Sequence, residues 1–208
     1  MSILFLAVAV QLALNIALPL AVQSFIYGAA VSLSLWLYRN HKTFFWFDLA
    51  VSLATLPLFG LTPLIASVVF AIALSLITPF KNSPHQSVPL KPLLLFAGIL
   101  IIVDVLFVSF LYRFKVPPIA LANLVPYVVT ISSNNEVSLY PFIGSGDFAI
   151  PAYITLISNA PLISLPFILS LSTLVVEFFQ PDLFPMLVVI LPIQIVVILF
   201  FSSHYSPH

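Results

Sequence analysis

Polar positions along this chain are sparse and clustered. No charged side chain occurs before Arg39, and residues 2–38 form one apolar block. A membrane-spanning helix needs about 20 mostly apolar residues, so this block predicts two spans with a turn around Pro19, Gln23 and Ser24. Arg39, Asn40, His41 and Lys42 make a polar loop. Residues 43–80 repeat the double-length pattern, broken near Gly60 and Pro63, and 81–91 is again polar. A fifth span is expected over 92–112, ended by Arg113 and Lys115. After a connector, 114–138, further spans are expected over 139–159, 160–178 (ending near Glu177) and 184–202. Gln180, Pro181 and Asp182 separate the last two, and a polar tail follows. The expected fold is an all-α polytopic membrane protein with about eight transmembrane helices. Residues 1–90 supply about four of them, and residues 91–208 form a second region.

The connector carries its own pattern. Pro117, Pro118 and Pro126 interrupt it, and Ile119–Val125 is too short to span and suits the interface. Two β-prone runs, Tyr127–Ser132 and Glu136–Tyr140, flank Asn134 and Asn135. That spacing predicts a short β-hairpin between the fifth and sixth spans.

Composition narrows the class. Only 6% of residues are charged, against 62% apolar, and mean hydropathy is +1.23. A soluble domain carries about 25% charge, so lipid is the expected solvent, in a multi-pass protein of a prokaryotic cell membrane. The 18 prolines fit that setting, because neighbouring membrane helices can satisfy freed backbone groups. No basic flank or cleavage site marks a signal peptide at the start. Net charge is zero with no basic patch, so no nucleic-acid partner is expected. Lys and Arg favour one side, with Arg39, Lys42, Lys81 and Lys91 against Arg113 and Lys115. The bias predicts a cytoplasmic N-terminus. Cysteine is absent, which excludes disulfides and thiolate chemistry. All four histidines fall in loops or the tail and no HExxH occurs. Neither a Ser–His site nor a zinc site is therefore expected within the spans, and no metal or cofactor is predicted.

Two aspartates lie inside predicted spans, where an ionisable group costs roughly 2.5–3.5 kcal/mol and marks a functional candidate. Asp104 precedes Tyr112, the end of its span, by eight residues, and Asp147 follows Leu139, the start of its span, by eight. The shared connector makes the two spans antiparallel. At 1.5 Å per residue, each carboxyl is expected about 12 Å below the same face. Two carboxyls that meet share a proton. The ionised one then takes a proton from water while the other donates to a peptide carbonyl. Asp48, after Phe47, is a weaker candidate for pairing with Asp147. Gln11 and Asn15 in the first span suit interhelical hydrogen bonds.

The second aspartate ends Gly144-Ser145-Gly146-Asp147, which holds two of only five glycines in the chain. Glycine there allows another backbone to approach or the helix to open beside the carboxyl. Followed by Phe148-Ala149-Ile150-Pro151, the segment resembles the GxGD active-site motif of the presenilin and signal peptide peptidase superfamily, its signal peptide peptidase branch above all. The resemblance implies a presenilin-like fold and an intramembrane aspartyl endopeptidase. Asp104 and Asp147 would be its catalytic residues, and its substrate a transmembrane or signal-peptide helix of a membrane protein. The family places its other aspartate after Tyr; here Val103 precedes Asp104. A Pro-Ala-Leu motif that packs beside the family's dyad has its counterpart in Pro185-Met186-Leu187, with Met for Ala. The match runs in order over 92–202; residues 1–80 match only as hydrophobic spans, and the family usually has nine spans.

Three other readings compete. Prepilin-type peptidases also use a GxGD aspartate but usually have Lys soon after it, where this chain has Phe148-Ala149-Ile150-Pro151. A small ion pathway could use the same buried carboxylates, and a proteolytically inactive relative could escort membrane proteins.

Overall fold

The computed structural model describes residues 2–16, 18–41, 43–61, 63–65, 67–68, 71–72, 90–114, 127–131, 137–158, 160–179 and 184–204. They are helical apart from one two-stranded hairpin. The polar loop before Leu90, the interfacial stretch 119–125, the Asn134–Asn135 turn and the Gln180-Pro181-Asp182 loop lie outside the described residues.

The first apolar block folds as α1 (Ser2–Ala13) and α2 (Leu20–Asn40). The turn comes earlier than Gln23 and Ser24, between Ala13 and Leu20. Asn15 takes a positive φ of 50° there, a conformation Asn tolerates better than most residues. Pro19 N-caps α2. Each helix lends a glutamine to the turn's carbonyls: Gln11 Nε2 donates to Ile16 O (3.1 Å) and Gln23 Nε2 to Leu18 O (2.6 Å). In apolar surroundings such freed backbone groups need a partner from the protein itself. The Tyr27 hydroxyl of α2 donates to Gln11 Oε1, tying the two helices. Gln11 thus makes the interhelical bond expected of it, while Asn15 serves the turn.

The second block breaks at Thr55, between α3 (Phe44–Ala54) and the single turn α4 (Leu56–Phe59). Thr55 Oγ1 donates back to Val51 O and Ser52 O, and Gly60 closes the turn at φ 61°. Residues 63–65, 67–68 and 71–72 are also helical. The next element, α5 (Leu90–Arg113), has 24 residues and is about 36 Å long, enough to cross a hydrocarbon core of about 30 Å. Among the described residues two segments are long and apolar enough to cross a membrane: Leu20–Tyr38 within α2 and Lys91–Arg113 within α5.

Strand β1 (Tyr127–Ile131) pairs antiparallel with β2 (Val137–Gly144). The register shifts between Val128, opposite Ile143, and Thr130, opposite Ser138. Pro141 lies in the stretch of β2 that bulges out, and lacking an N–H it cannot donate to a ladder. Helix α6 (Ser145–Ile157) follows directly, then α7 (Ser164–Phe179) and α8 (Leu187–His204). The span expected over 139–159 is therefore not one helix: residues up to Gly144 are extended, and Asp147 sits in the first helical turn.

The core joins the two halves of the chain. Leu4, Phe5, Val8, Tyr27, Val31 and Leu35 pack with Phe148, Ala152, Leu165, Leu169 and Ile190 in one buried cluster. Its tightest seam runs between α2 and α7. Ser24, Gly28 and Ser32 recur every fourth residue on α2. Thr173 Oγ1 donates to Ser24 Oγ at 2.7 Å, and Ser32 Oγ donates to Leu162 O at 2.9 Å. Between them a Cβ on Gly28 would lie 2.8 Å from Pro166 Cα. Small residues at this spacing let two helix backbones close together and make short polar contacts.

Candidate active site

Asp104 lies in the second half of α5, half-buried. Its Oδ2 accepts the backbone N–H of Leu187 at 2.9 Å. Leu187 opens α8, and the first N–H groups of a helix have no intrahelical acceptor, so the carboxyl takes an orphaned donor. Pro185 suits the position before it: Val188 N bonds Pro185 O and Ile190 N bonds Met186 O as the helix begins.

The same three-residue segment reaches the helix that carries Asp147. Met186 is buried in the cluster that contains Phe148 and Ala152 of α6. The Leu187 side chain joins a second cluster with Leu93 and Ala97 of α5 and Ile154 of α6. Phe148, next to Asp147, is fully buried and edge-on to Tyr27, ring centroids 6.4 Å apart. Pro185-Met186-Leu187 thus packs with both aspartate-bearing helices, and methionine fills the buried position.

Because 139–144 is strand, the depth of Asp147 has to be read from helix packing. The rings of Phe96 on α5 and Tyr153 on α6 lie 6.4 Å apart. From that level Asp104 is eight residues on and Asp147 six residues back, about 12 Å and about 9 Å along antiparallel helices. The two carboxyl-bearing residues are therefore within roughly one residue pair of the same level. Leu100 and Ile101 of α5 and Ile150 of α6 fill the interval.

Gly144 closes β2, opposite Tyr127, and Ser145 starts α6. At Gly146 an added Cβ would meet nothing within 4 Å. No backbone presses on that glycine among the described residues; it leaves open space one residue before Asp147. Asp147 itself is half-buried.

Asp48 belongs to a different site. It is 1% exposed, and the Tyr38 hydroxyl donates to its Oδ2 at 2.8 Å. Tyr38 lies eleven residues beyond Tyr27 on α2, about 16 Å along the axis. Tyr27, not Tyr38, is at the level of Phe148, so Asp48 is remote from Asp147. Ser52, one turn beyond Asp48 on α3, shares a buried hydroxyl contact of 2.9 Å with Ser67.

Among the described residues no three His, Cys, Asp or Glu side chains could together hold a metal ion. One residue that sequence reasoning passed over is Gln194. It is 1% exposed in α8, and its Nε2 donates to Pro151 O (2.6 Å) and Thr155 Oγ1 (2.9 Å) of α6. A single amide inside the apolar run 187–201 is the signal that could have found it. No protein-family model matches the chain, and neither a curated protein nor a solved structure matches it.

Proposed function

We propose that this chain is an intramembrane aspartyl endopeptidase with Asp104 and Asp147 as its catalytic pair. The observation that carries the reading is the double attachment of Pro185-Met186-Leu187: a backbone N–H on Asp104 and a buried Met186 beside Phe148. In this reading the chain sits in a lipid bilayer as a presenilin-like bundle of about eight spanning segments. The shorter apolar helices, Ile3–Ala13, Phe44–Ala54, Gly146–Ile157, Ser164–Phe179 and Leu187–Phe201, are the central parts of further spanning segments in this reading.

The chemistry follows from two carboxyls that share one proton. The ionised carboxylate removes a proton from water, whose oxygen attacks the carbonyl carbon of the scissile peptide. The protonated carboxyl gives its proton to the carbonyl oxygen, leaving a neutral gem-diol. Collapse of the diol returns a proton to a carboxylate and passes another to the departing amide nitrogen. The C–N bond breaks, and a new carboxyl and a new amine result. No metal or cofactor enters. The roles belong to the pair and not to one residue.

The substrate in this reading is a transmembrane peptide or the membrane segment of another protein. Such a helix must unwind to present an extended bond, and the open space at Gly146 suits it. The β1–β2 hairpin runs straight into the turn that carries Asp147, so an unwound substrate could add to it as a further strand. Val129→Pro, which removes one strand donor, should lower cleavage of a helical substrate roughly tenfold, equal to about 1.4 kcal/mol. Unchanged turnover would remove the hairpin from the mechanism.

The test of the function is cleavage of a tagged transmembrane peptide by the detergent-purified protein. Asp48→Asn is the internal control. The amide oxygen can still accept the Tyr38 hydroxyl, so cleavage should stay within about threefold of wild type, less than the factor for about 1 kcal/mol. Loss of cleavage in that variant would transfer the first catalytic role from Asp104 to Asp48. If the wild type instead moves ions across vesicle membranes and cuts nothing, the carboxylates serve an ion pathway.

A further inference from the structure

Helix α6 is weakly built where it matters most. Asp147 sits in its first turn, Gly146 precedes it, and Pro151 lies one turn on. Proline has no N–H, so the Asp147 carbonyl loses the donor that residue 151 would normally return to it. That turn is one ladder bond short, and a contact from a neighbouring helix can brace it.

Gln194 is placed to do so. Its Nε2 donates both hydrogens to α6, one to Pro151 O at 2.6 Å and one to Thr155 Oγ1 at 2.9 Å. The identity of this atom is fixed by chemistry: a carbonyl oxygen only accepts, so the amide atom facing Pro151 O is the nitrogen. Thr155 Oγ1 in turn donates to Pro151 O at 2.8 Å. The three groups form a closed triangle on the carbonyl of the proline itself.

The other half of the amide is left over. Gln194 Oε1 is fully buried and has no hydrogen-bond partner among the described residues. A buried acceptor without a donor is a cost to folding, and an apolar side chain of the same length would avoid it. What the amide contributes at that cost is its two N–H groups, both on α6. The same helix, seven residues earlier, gives the Leu187 N–H to Asp104. Helix α8 thus grips Asp104 at its start and the Asp147-bearing helix about 10 Å further along.

We infer that Gln194 is a positioning residue: its amide clamps the Pro151 turn of α6 to α8 and so fixes Asp147 relative to Asp104. The inference rests on the protease reading for its catalytic consequence, and on the hydrogen bonds alone for its structural one. Methionine is the discriminating substitution, because it keeps the length and volume of glutamine and discards both the two donors and the orphaned acceptor.

The experiment compares wild type and Gln194→Met in three measurements on the full chain: thermal melting, amide hydrogen exchange of segment 145–157, and kcat and KM on a tagged transmembrane peptide. The expected result is a melting temperature equal to or above wild type, with faster exchange confined to 145–157. kcat should fall ten- to a hundredfold, the scale for a misplacement of about 1 Å, and KM should stay within twofold. Unchanged exchange and unchanged kcat would overturn the clamp. A large drop in melting temperature, with kcat per folded molecule unchanged, would also overturn it, since that marks an ordinary structural bond. A wild type that cuts no peptide sinks the protease reading instead, and the exchange of 145–157 still decides whether Gln194 holds α6.

Discussion

Asp104→Asn and Asp147→Asn each reduce the cleavage rate by about 10³-fold or more, with the melting temperature nearly unchanged. Acid–base catalysis by one positioned group is worth roughly 10²–10⁴, and in the proposed reaction neither carboxyl can substitute for the other because both act at once. Asparagine is the informative replacement. At position 104 its amide oxygen can still accept the Leu187 N–H, which the aspartate holds at 2.9 Å, so α8 stays seated on α5. Alanine would leave that N–H orphaned and confuse a lost proton with a shifted helix. Single-turnover rates for the two variants, beside their melting curves, separate chemistry from folding. An Asp104→Asn protein that cuts at the wild-type rate would break the pair.

Gly28→Val prevents the bundle from closing. A Cβ at this position lies 2.8 Å from Pro166 Cα and 3.0 Å from Leu169 Cδ1. The first is backbone of the facing helix and cannot move aside alone. Overpacking costs typically 1–3 kcal/mol, and valine adds two methyl groups beyond the clashing carbon. Forcing α2 and α7 apart also strains the Ser24–Thr173 and Ser32–Leu162 bonds on either side. The expected result is loss of a cooperative melting transition in detergent, with Gly28→Ala intermediate. Gly98→Ala is the control, because a Cβ there meets nothing within 4 Å, and alanine is the better helix former. A Gly28→Val protein that melts like wild type would show that the α2–α7 seam is not close-packed.

Much of the architecture was legible because hydrophobic length is a direct physical signal. The segment expected over 92–112 is α5, Leu90–Arg113, which begins two residues earlier, takes in Lys91 and has Arg113 as its last residue. Pro19, expected to mark a turn, caps the start of α2, where its missing N–H costs no intrahelical bond. Gln23 and Ser24 misled by their polarity. In an apolar bundle a polar side chain signals a contact between helices as readily as a turn, and Ser24 is buried against Thr173.

The depth of Asp147 shows the limit of counting residues. Eight residues from Leu139 measure one distance as helix and another as strand, and hydropathy does not distinguish the two for a short apolar run. Pro141, Gly144 and Gly146 were the available signs that no continuous helix ran through 139–146. The near-matched level of the aspartates comes from the Phe96–Tyr153 packing instead. The partners of the carboxyls were not legible at all. A bond from a backbone N–H at Leu187 to Asp104 joins residues far apart in sequence, and Tyr38–Asp48 depends on how α2 and α3 cross.

The most direct test is where a substrate is cut. Purified protein in detergent or vesicles is given a peptide with a single apolar span, tagged at both ends, and the fragments are weighed by mass spectrometry. The account predicts two fragments whose masses sum to the peptide plus one water. Their shared boundary lies inside the apolar span, and both are missing when either Asp104→Asn or Asp147→Asn replaces the wild type. Fragments that persist in both variants, or a boundary only in the polar flanks, would contradict it.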